Sequence, residues 1–422
     1  MLTFESQTVR GRATSFKCRF CSAALQTTFV DLGMHPICNS LVRPDQLTAA
    51  EPFYPLHVYV CDECFLVQIQ EFVPPDEIFT EYSYFSSYST SWVEHARRYA
   101  SMMIERFGFD SDSHVFEVAS NDGYLLQHFR DAGVPVLGIE PAANVADVAI
   151  EAGIPTLKVF LGEATGKQIA REHGQADLIA GNNVLAHVPD VNDFIEGMKA
   201  MLAPGGVITM EFPHLMRLMA NNQFDTIYHE HFSYYSFCTV ERMFAAHGLT
   251  LFDVEELPTH GGSLRIYARH AGNEALPVGE RVLELRRREQ ADGFETIERY
   301  ASFGGQVEAT KRDLLDFLIE AKRDGKRIAG YGAPGKGNTL LNYCGIRTDF
   351  LDFTVDANPY KQGNYTPGTR IPILAPDAIF EARPDYVLIL PWNLRDEISA
   401  QMAGIREWGG KFVVPIPHVE VW

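Results

Sequence analysis

Val115-Phe-Glu117-Val-Ala-Ser120-Asn121-Asp122-Gly123-Tyr-Leu-Leu126 reads as a strand, a tight loop and a helix start. Seventeen residues past Gly123, the strand-like PVLGIE ends at Glu140 and is followed by Pro141. An acidic side chain at the end of a second strand can accept hydrogen bonds from two ribose hydroxyls. Further on, ADLIAGNNVLAHV places Asn182, Asn183 and Val184 at the carboxyl edge of another strand, and GGVITMEF supplies the next. Helix-like stretches such as VNDFIEGMKAMLAPGG separate these strands. The alternation is the βαβ signature of a mostly parallel sheet. In such sheets ligands sit in the crevice beyond the carboxyl ends of the strands.

That layout resembles class I S-adenosylmethionine (SAM) methyltransferases. A dinucleotide site would place G-x-G-x-x-G here, to seat a pyrophosphate against bare backbone. This loop keeps one glycine. SAM carries no phosphate, and its cationic methionine end suits an acidic loop. The expected cofactor residues are Glu117, Ser120, Asn121, Asp122, Gly123, Glu140, Pro141, Asn182, Asn183 and Val184.

The whole chain has 422 residues, enough for two or three domains. Its 36 basic and 55 acidic residues give a net charge of −19, without the basic footprint of a nucleic-acid binder. A local basic pocket can still hold an anionic small molecule. No run approaches the roughly 20 apolar residues of a membrane helix, and no secretory h-region opens the chain. The expectation is a cytoplasmic α/β protein without membrane or nucleic-acid partners.

Cys18-x-x-Cys21 and Cys61-x-x-Cys64 pair four cysteines within the first 64 residues. In a reducing compartment such pairs point to metal rather than disulfides. Four thiolates suit tetrahedral Zn²⁺ and leave no open coordination position, so the role is structural. His35 and Cys38 lie between the pairs and are rival ligands. A redox C-x-x-C is the other reading, although neither pair follows a thioredoxin-like first strand.

Three zones follow. Residues 1–75 hold the zinc-binding domain, and LHVYVCDECFLVQIQ within it alternates as a strand would. Residues 76–260 hold the SAM-binding domain, including an amphipathic helix with Trp92, Ala96, Tyr99 and Met103 on one face. Residues 261–422 restart the α/β pattern after charge-rich helical stretches and form a second Rossmann-like sheet. Gly330-Tyr-Gly332-Ala-Pro-Gly335 is there a literal G-x-G-x-x-G, with Asp356 21 residues past Gly335. Alone it spells an NAD fingerprint, and with Lys336 it nearly makes a P-loop, but Gly337 stands where Ser or Thr would bind Mg²⁺. The preferred reading is a helix start whose N–H groups and Lys336 cradle a substrate diphosphate, with Tyr331 and Asn338 nearby. Tight strand–helix packing is an equally good use of the glycines. His260, in HGGSLR, is expected to line the interdomain cleft.

Tyr228-His229-Glu230-His231 concentrates proton-handling groups in four positions. H-x-H can also bind metal, and a polar loop is the plain alternative. Here the sequence resembles a known family. The paired cysteines, EVASNDGYLL, NNVLAHVPD, FDTIYHEHFSYYS, HGGSLR, GYGAPGKGNTLLN and VDANPYKQGNYTPGTRIPI are similar to the nucleotide-sugar C-3′-methyltransferases of unusual deoxysugar biosynthesis. The resemblance covers nearly the whole chain. It implies a zinc domain, a SAM domain and a Rossmann-like substrate domain, in a protein that can act as a monomer. It implies a dTDP- or GDP-linked 4-keto-6-deoxy sugar as substrate, methylated at C3 through an enolate. His231 is then the base. Tyr228 and Glu230 position the sugar or the base, and His187 and Tyr82 hold the ring or the enolate oxygen. Tyr82, Tyr84, Phe85 and Tyr88 form an aromatic lid in this reading, or simple packing. Oxygen or nitrogen methylation, NAD-dependent oxidoreduction or epimerisation, and a non-enzymatic zinc adaptor are the competing functions.

Overall fold

The computed structural model describes residues 16–74 and 85–422. Its centre is a seven-stranded sheet in the order β10-β11-β8-β7-β4-β5-β6. These strands are β4 (Val115–Val118), β5 (Val136–Ile139), β6 (Thr156–Leu157), β7 (Ala176–Asn182), β8 (Leu202–Pro213), β10 (Leu249–Leu257) and β11 (Ser263–His270). The run from β8 to β6 is parallel, and β11 lies antiparallel between β8 and β10. β4 is buried at all four positions, as a central parallel strand covered on both faces must be. The β10–β11 hairpin crosses the boundary expected at 260. HGGSLR enters β11 because its alternating side chains close the apolar face of the same sheet, so the central fold runs on to His270.

The helix Thr90–Phe107 packs on this sheet. The Ser89 side chain caps its first turn by accepting from Trp92 N, and Gly108 ends it at φ 70°. Ala96, Tyr99 and Met103 are buried, as their spacing predicts. Trp92, the fourth member of that stripe, stays partly open.

The amino-terminal sheet is β1 (Thr27–His35), β2 (Tyr54–Val60), β3 (Val67–Ile69) and β9 (Ser233–Tyr234). LHVYVCDECFLVQIQ is therefore two strands rather than one. The chain doubles back at Cys61–Cys64, where Phe65 takes φ 61° and its N–H donates to Cys61 O. β9 comes from far along the chain and pairs Ser233 with Gln68, 165 residues apart, and Tyr234 with Val67, 167 apart. The segment after His231 is thus stitched into the cysteine-bearing sheet.

The carboxy-terminal sheet has the order β14-β13-β12-β15-β16-β17, built from β12 (Ile328–Tyr331), β13 (Thr354–Val355), β14 (Ile373–Leu374), β15 (Tyr386–Ile389), β16 (Lys411–Val414) and β17 (Glu420–Val421). Its first five strands are parallel. The charge-rich stretches are the helices Glu280–Ala291 and Phe303–Arg323, and the second shares one hydrophobic core with the amino-terminal sheet. No helix among the described residues is long and apolar enough to cross a membrane.

Candidate active site

The four cysteines meet. Their sulfurs lie within 4.8 Å of one another, with Cys18–Cys64 and Cys21–Cys61 each at 3.5 Å. A zinc–sulfur bond of about 2.3 Å requires tetrahedral sulfurs about 3.8 Å apart, so the set fits the ion. Both knuckles share one design: the fourth residue past the first cysteine is left-handed, Ser22 at φ 63° and Phe65 at φ 61°. Hydrogen bonds from Cys61 and Cys64 hold the Cys18 thiol far below its ordinary range, and the bond to Cys18 pushes Cys61 up to about 12. A dication substitutes for those shared protons and lets all four sulfurs ionise. Gln68 Nε2 donates to Cys18 Sγ at 3.2 Å, a supporting contact behind the ligand. The rivals are elsewhere. His35 bonds Leu32 O at 2.9 Å, and Cys38 faces Glu230 Oε1 at 3.5 Å.

At the carboxyl edge of the central sheet, Ala119, Asn121 and Gly123 take φ 55°, 51° and 79°. This alternation folds the loop back over the end of β4. A Cβ on Gly123 would stand 2.9 Å from Ile154 Cγ1, so glycine is required there by contact as well as by φ. Glu140 accepts from Asn121 N at 2.9 Å through Oε2 and from Ala142 N at 2.8 Å through Oε1. It fixes the loop first, and each oxygen keeps a second lone pair for a ribose hydroxyl. Pro141 turns the chain between those two contacts. Asn182 Nδ2 donates to Tyr124 Oη at 3.2 Å, while Asn183, at φ 55°, donates its N–H to Glu211 O at 2.7 Å. Val184 is buried beside them.

Among the described residues, Ser120 Oγ, Asp122 Oδ1, Asn183 Oδ1 and both Glu117 carboxylate oxygens are buried without a hydrogen bond of ordinary length. Burial, then Glu140 and Asp122, push the Glu117 carboxyl well above its usual range. A cluster of buried acceptors is costly unless a ligand donates to it. An ammonium, ribose hydroxyls and a sulfonium are such a donor and cation set, so these residues fit SAM. Ser86 N and Ser87 N donate to Asn121 Oδ1 and Asp122 Oδ2 at 2.9 and 3.0 Å, strapping the next segment onto the loop. Phe85 and Tyr88 stack there at 5.4 Å. Tyr82 and Tyr84 lie outside the described residues.

His231 lies between this crevice and the carboxy-terminal sheet. Its Nδ1 is 2.9 Å from Thr226 O, and His187 Nδ1 is 2.8 Å from Glu230 O. A carbonyl can only accept, so each Nδ1 carries a proton, and the neutral His231 keeps its lone pair on Nε2. The two rings meet edge to face at 4.8 Å, and Tyr228 lies 4.0 Å from His231. Burial, with His187 adjacent, pushes His231 well below the ordinary imidazole range; burial also pushes His187 down to about 4. Both rings are therefore neutral at pH 7. Glu230 is held at both its carboxylate and its carbonyl. Its carboxylate accepts from Asn39 Nδ2 at 2.7 Å, and its carbonyl orients His187. His229 turns away to Pro55 O at 3.3 Å.

Lys336 joins the cluster from the helix Gly335–Cys344. It lies 4.7 Å over the Trp392 ring and donates to Asn393 Oδ1 at 2.6 Å. Its charge helps push His260 down to about 4, after burial, and acts on His231 as well. Asp225 is fully buried, accepts from Trp392 Nε1 at 2.8 Å and is raised to about 6 by burial, with Lys336 opposing. His260, at φ 55°, meets Trp92 edge to face at 5.2 Å. Trp92 in turn stacks on His95, which bonds Glu211 Oε2 at 2.9 Å; Arg265 reaches the same oxygen at 2.7 Å.

Two expected substrate residues already hold protein partners. Tyr331 donates to Gln401 at 3.2 Å, and Asn338 Nδ2 donates to Cys38 O at 2.6 Å. The glycine fingerprint is consumed by packing. Added Cβ atoms would stand 2.6 Å from Thr354 Oγ1 at Gly330, 2.6 Å from Pro391 Cδ at Gly332 and 3.0 Å from Cys38 Sγ at Gly335. Asp356, the ribose ligand of the NAD reading, accepts instead from Ala333 N and Asn358 N.

Comparison with known proteins follows the same three-part division. Residues 18–79 match a zinc binding domain family, 92–254 a methyltransferase domain and 258–417 a C-methyltransferase C-terminal domain. A ubiquinone biosynthesis O-methyltransferase of Bartonella tribocorum is 30% identical over 22% of this chain and 38% of its own. A solved magnesium protoporphyrin IX methyltransferase with bound SAM, from Synechocystis PCC 6803, is 12% identical over 42% of this chain and 78% of its own, with a TM-score of 0.32. The C-methyltransferase NovU of Streptomyces niveus is 37% identical over 96% of both chains. A match that runs from the cysteine knuckles through both sheets shows that this chain belongs to the C-methyltransferase family, as a SAM-dependent enzyme with a zinc-binding amino-terminal domain.

Proposed function

We propose that the enzyme methylates C3 of a 4-keto-6-deoxy sugar linked to dTDP or GDP, in the cytoplasm, with His231 as the base. The observation that carries this reading is the tautomer of His231. Its Nδ1–H is committed to Thr226 O, which leaves a neutral Nε2 lone pair in a partly open cleft. SAM, when bound, supplies an electrophilic methyl group and a neutral thioether leaving group. The chain must therefore make a carbon nucleophilic. A ketone at C4 acidifies the C3–H because the carbanion is delocalised as an enolate. His231 Nε2 takes that proton, and the C3 electron pair then forms the new bond to the methyl carbon. Tyr228, 4.0 Å from His231, and the Nε2 of His187 flank the same space and hold the sugar ring and its oxygen. The Lys336 ammonium supplies the positive charge for an enolate or diphosphate oxygen, and a donor so placed contributes a few kcal/mol.

Deuterium exchange tests the reading. The enzyme, without SAM, is incubated in D₂O with dTDP- and GDP-linked 4-keto-6-deoxyhexoses, and C3–H loss is followed by NMR. Exchange of one sugar that disappears in His231→Asn is the expected result. Exchange that persists in H231N refutes the base assignment. With SAM present, mass spectrometry of the same panel reads the product, and a methyl group on oxygen refutes the carbon assignment.

A further inference from the structure

We propose that Arg19, the residue inside the first zinc knuckle, positions the imidazoles of His187 and His231, so that the zinc centre sets the geometry of proton transfer. The proposal rests on the assignment of those imidazoles to the reaction. Arg19 follows Cys18 directly and precedes Cys21 by two positions. Its guanidinium leaves the knuckle and enters the seam between the amino-terminal sheet and the SAM domain. There NH1 donates to Pro189 O at 2.5 Å and NH2 donates to Ile69 O at 2.6 Å. The same group lies 5.4 Å over the Phe232 ring.

Two of these three contacts adjoin an imidazole. Pro189 is two residues past His187, and Phe232 is the residue after His231. The backbone closes the circuit. Ile69 N donates to Phe232 O at 3.0 Å, and Phe232 N donates to Ala186 O at 2.7 Å. Phe232, beside His231, is thus held by its N–H and its C=O between the turn that carries His187 and the cysteine-bearing sheet. Arg19 bonds the chain on both sides of it, at Pro189 O and Ile69 O. Three further contacts fix Arg19 itself. Its N–H donates to Gln68 Oε1 at 2.9 Å, while Gln68 Nε2 bonds Cys18 Sγ. Asn192 Nδ2 donates to Arg19 O at 3.2 Å and to Phe20 O at 3.0 Å.

A planar guanidinium spanning two carbonyls and stacking on a ring is rigid in a way a lysine is not. Coordination of Cys18 and Cys21 fixes the Cα positions on either side of it. A zinc ion held by the four cysteines would touch no substrate and would bear on the reaction only through Arg19, which is a positioning residue.

The test compares Arg19→Met, Arg19→Lys and His231→Asn with the unaltered holoenzyme, using dTDP- and GDP-linked 4-keto-6-deoxyhexoses as probes. Four quantities are read: zinc per chain, SAM affinity by calorimetry, kcat with KM, and the His231 titration in ¹⁵N-histidine-labelled protein. R19M is expected to keep its zinc and SAM affinity while kcat falls roughly 10- to 100-fold, the cost of a misplacement on the order of 1 Å. KM moves little, and R19K falls between. The His231 titration is expected to move up toward the ordinary imidazole value as its loop gains water. An unchanged kcat and titration in R19M overturn the proposal. So does loss of zinc, or loss of SAM affinity in step with kcat, because Arg19 would then be part of the scaffold only. H231N separates the two readings. Activity surviving in H231N overturns the base assignment, whereas activity lost in H231N but kept in R19M overturns the role of Arg19.

Discussion

Asp225→Asn isolates the cost of one buried carboxylate beside Lys336. Asp225 is wholly inaccessible; Oδ2 accepts from Trp392 Nε1, and Oδ1 has no partner among the described residues. Burial raises the group from 3.8 to about 6 despite the attraction of Lys336. Its folded pKa therefore lies above its unfolded one. The neutral acid contributes its full stability below about pH 3.8, and that contribution is lost as pH rises through about 6. At 1.36 kcal/mol for each tenfold change, ionisation at pH 8 costs about 3 kcal/mol, and roughly half that at pH 5. Asparagine keeps the shape and can still accept from Trp392, but carries no charge. D225N is expected to be more stable by about 3 kcal/mol at pH 8, by roughly half as much at pH 5, and by almost nothing below pH 4. Urea unfolding followed by tryptophan fluorescence reads this locally, since Trp392 is the bonded indole. The same exchange removes the partner that favours charged Lys336, so KM for the anionic substrate is expected to rise. A variant that is no more stable at pH 8, or whose gain is equal at pH 5 and 8, refutes the reasoning.

Two further outcomes follow from the other centres. Glu140→Ala leaves Asn121 N and Ala142 N without their acceptor and removes the ribose contact; SAM affinity by calorimetry is expected to fall by about 2–3 kcal/mol, roughly 30- to 150-fold. Zinc stripped by a strong chelator is expected to release β9 with its sheet, so that C3–H exchange is lost in proportion to zinc, because a structural zinc site carries on the order of 10 kcal/mol of folding free energy.

The parts of the site legible in sequence are those a single segment encodes. The loop after β4 shows itself because strand, turn residues and helix start lie within twelve positions, and Glu140 because it ends the next strand. The cysteines declare themselves by spacing, although the fold they impose on β2 and β3 does not, since an alternating run looks the same whether or not it doubles back. Glu211, His95 and Arg265 were illegible for a different reason: their partners stand 54 to 170 residues away. Trp92 fell on the apolar stripe of a helix, and periodicity cannot tell a core indole from one that faces His260. Asp225 lies inside FDTIYHEHFSYYS, but its pairing with Trp392 spans 167 residues.

The carboxy-terminal glycines show where local reading misleads. A G-x-G-x-x-G after a strand describes a backbone that something approaches closely, and it does not say what approaches. Here Thr354, Pro391 and Cys38 fill those spaces, and Asp356 is spent on loop amides. The fingerprint survives as packing while Lys336, one residue past it, lies over Trp392 and acts on the imidazoles of His231 and His260. The same economy governs the carboxylates. Glu117 and Asp225 are held uncharged or costly in the folded chain, and a protein selected for stability alone would replace both with apolar groups of equal size. Both stand where bound ligands would bring further donors and charge, Glu117 beside the loop after β4 and Asp225 beside Lys336.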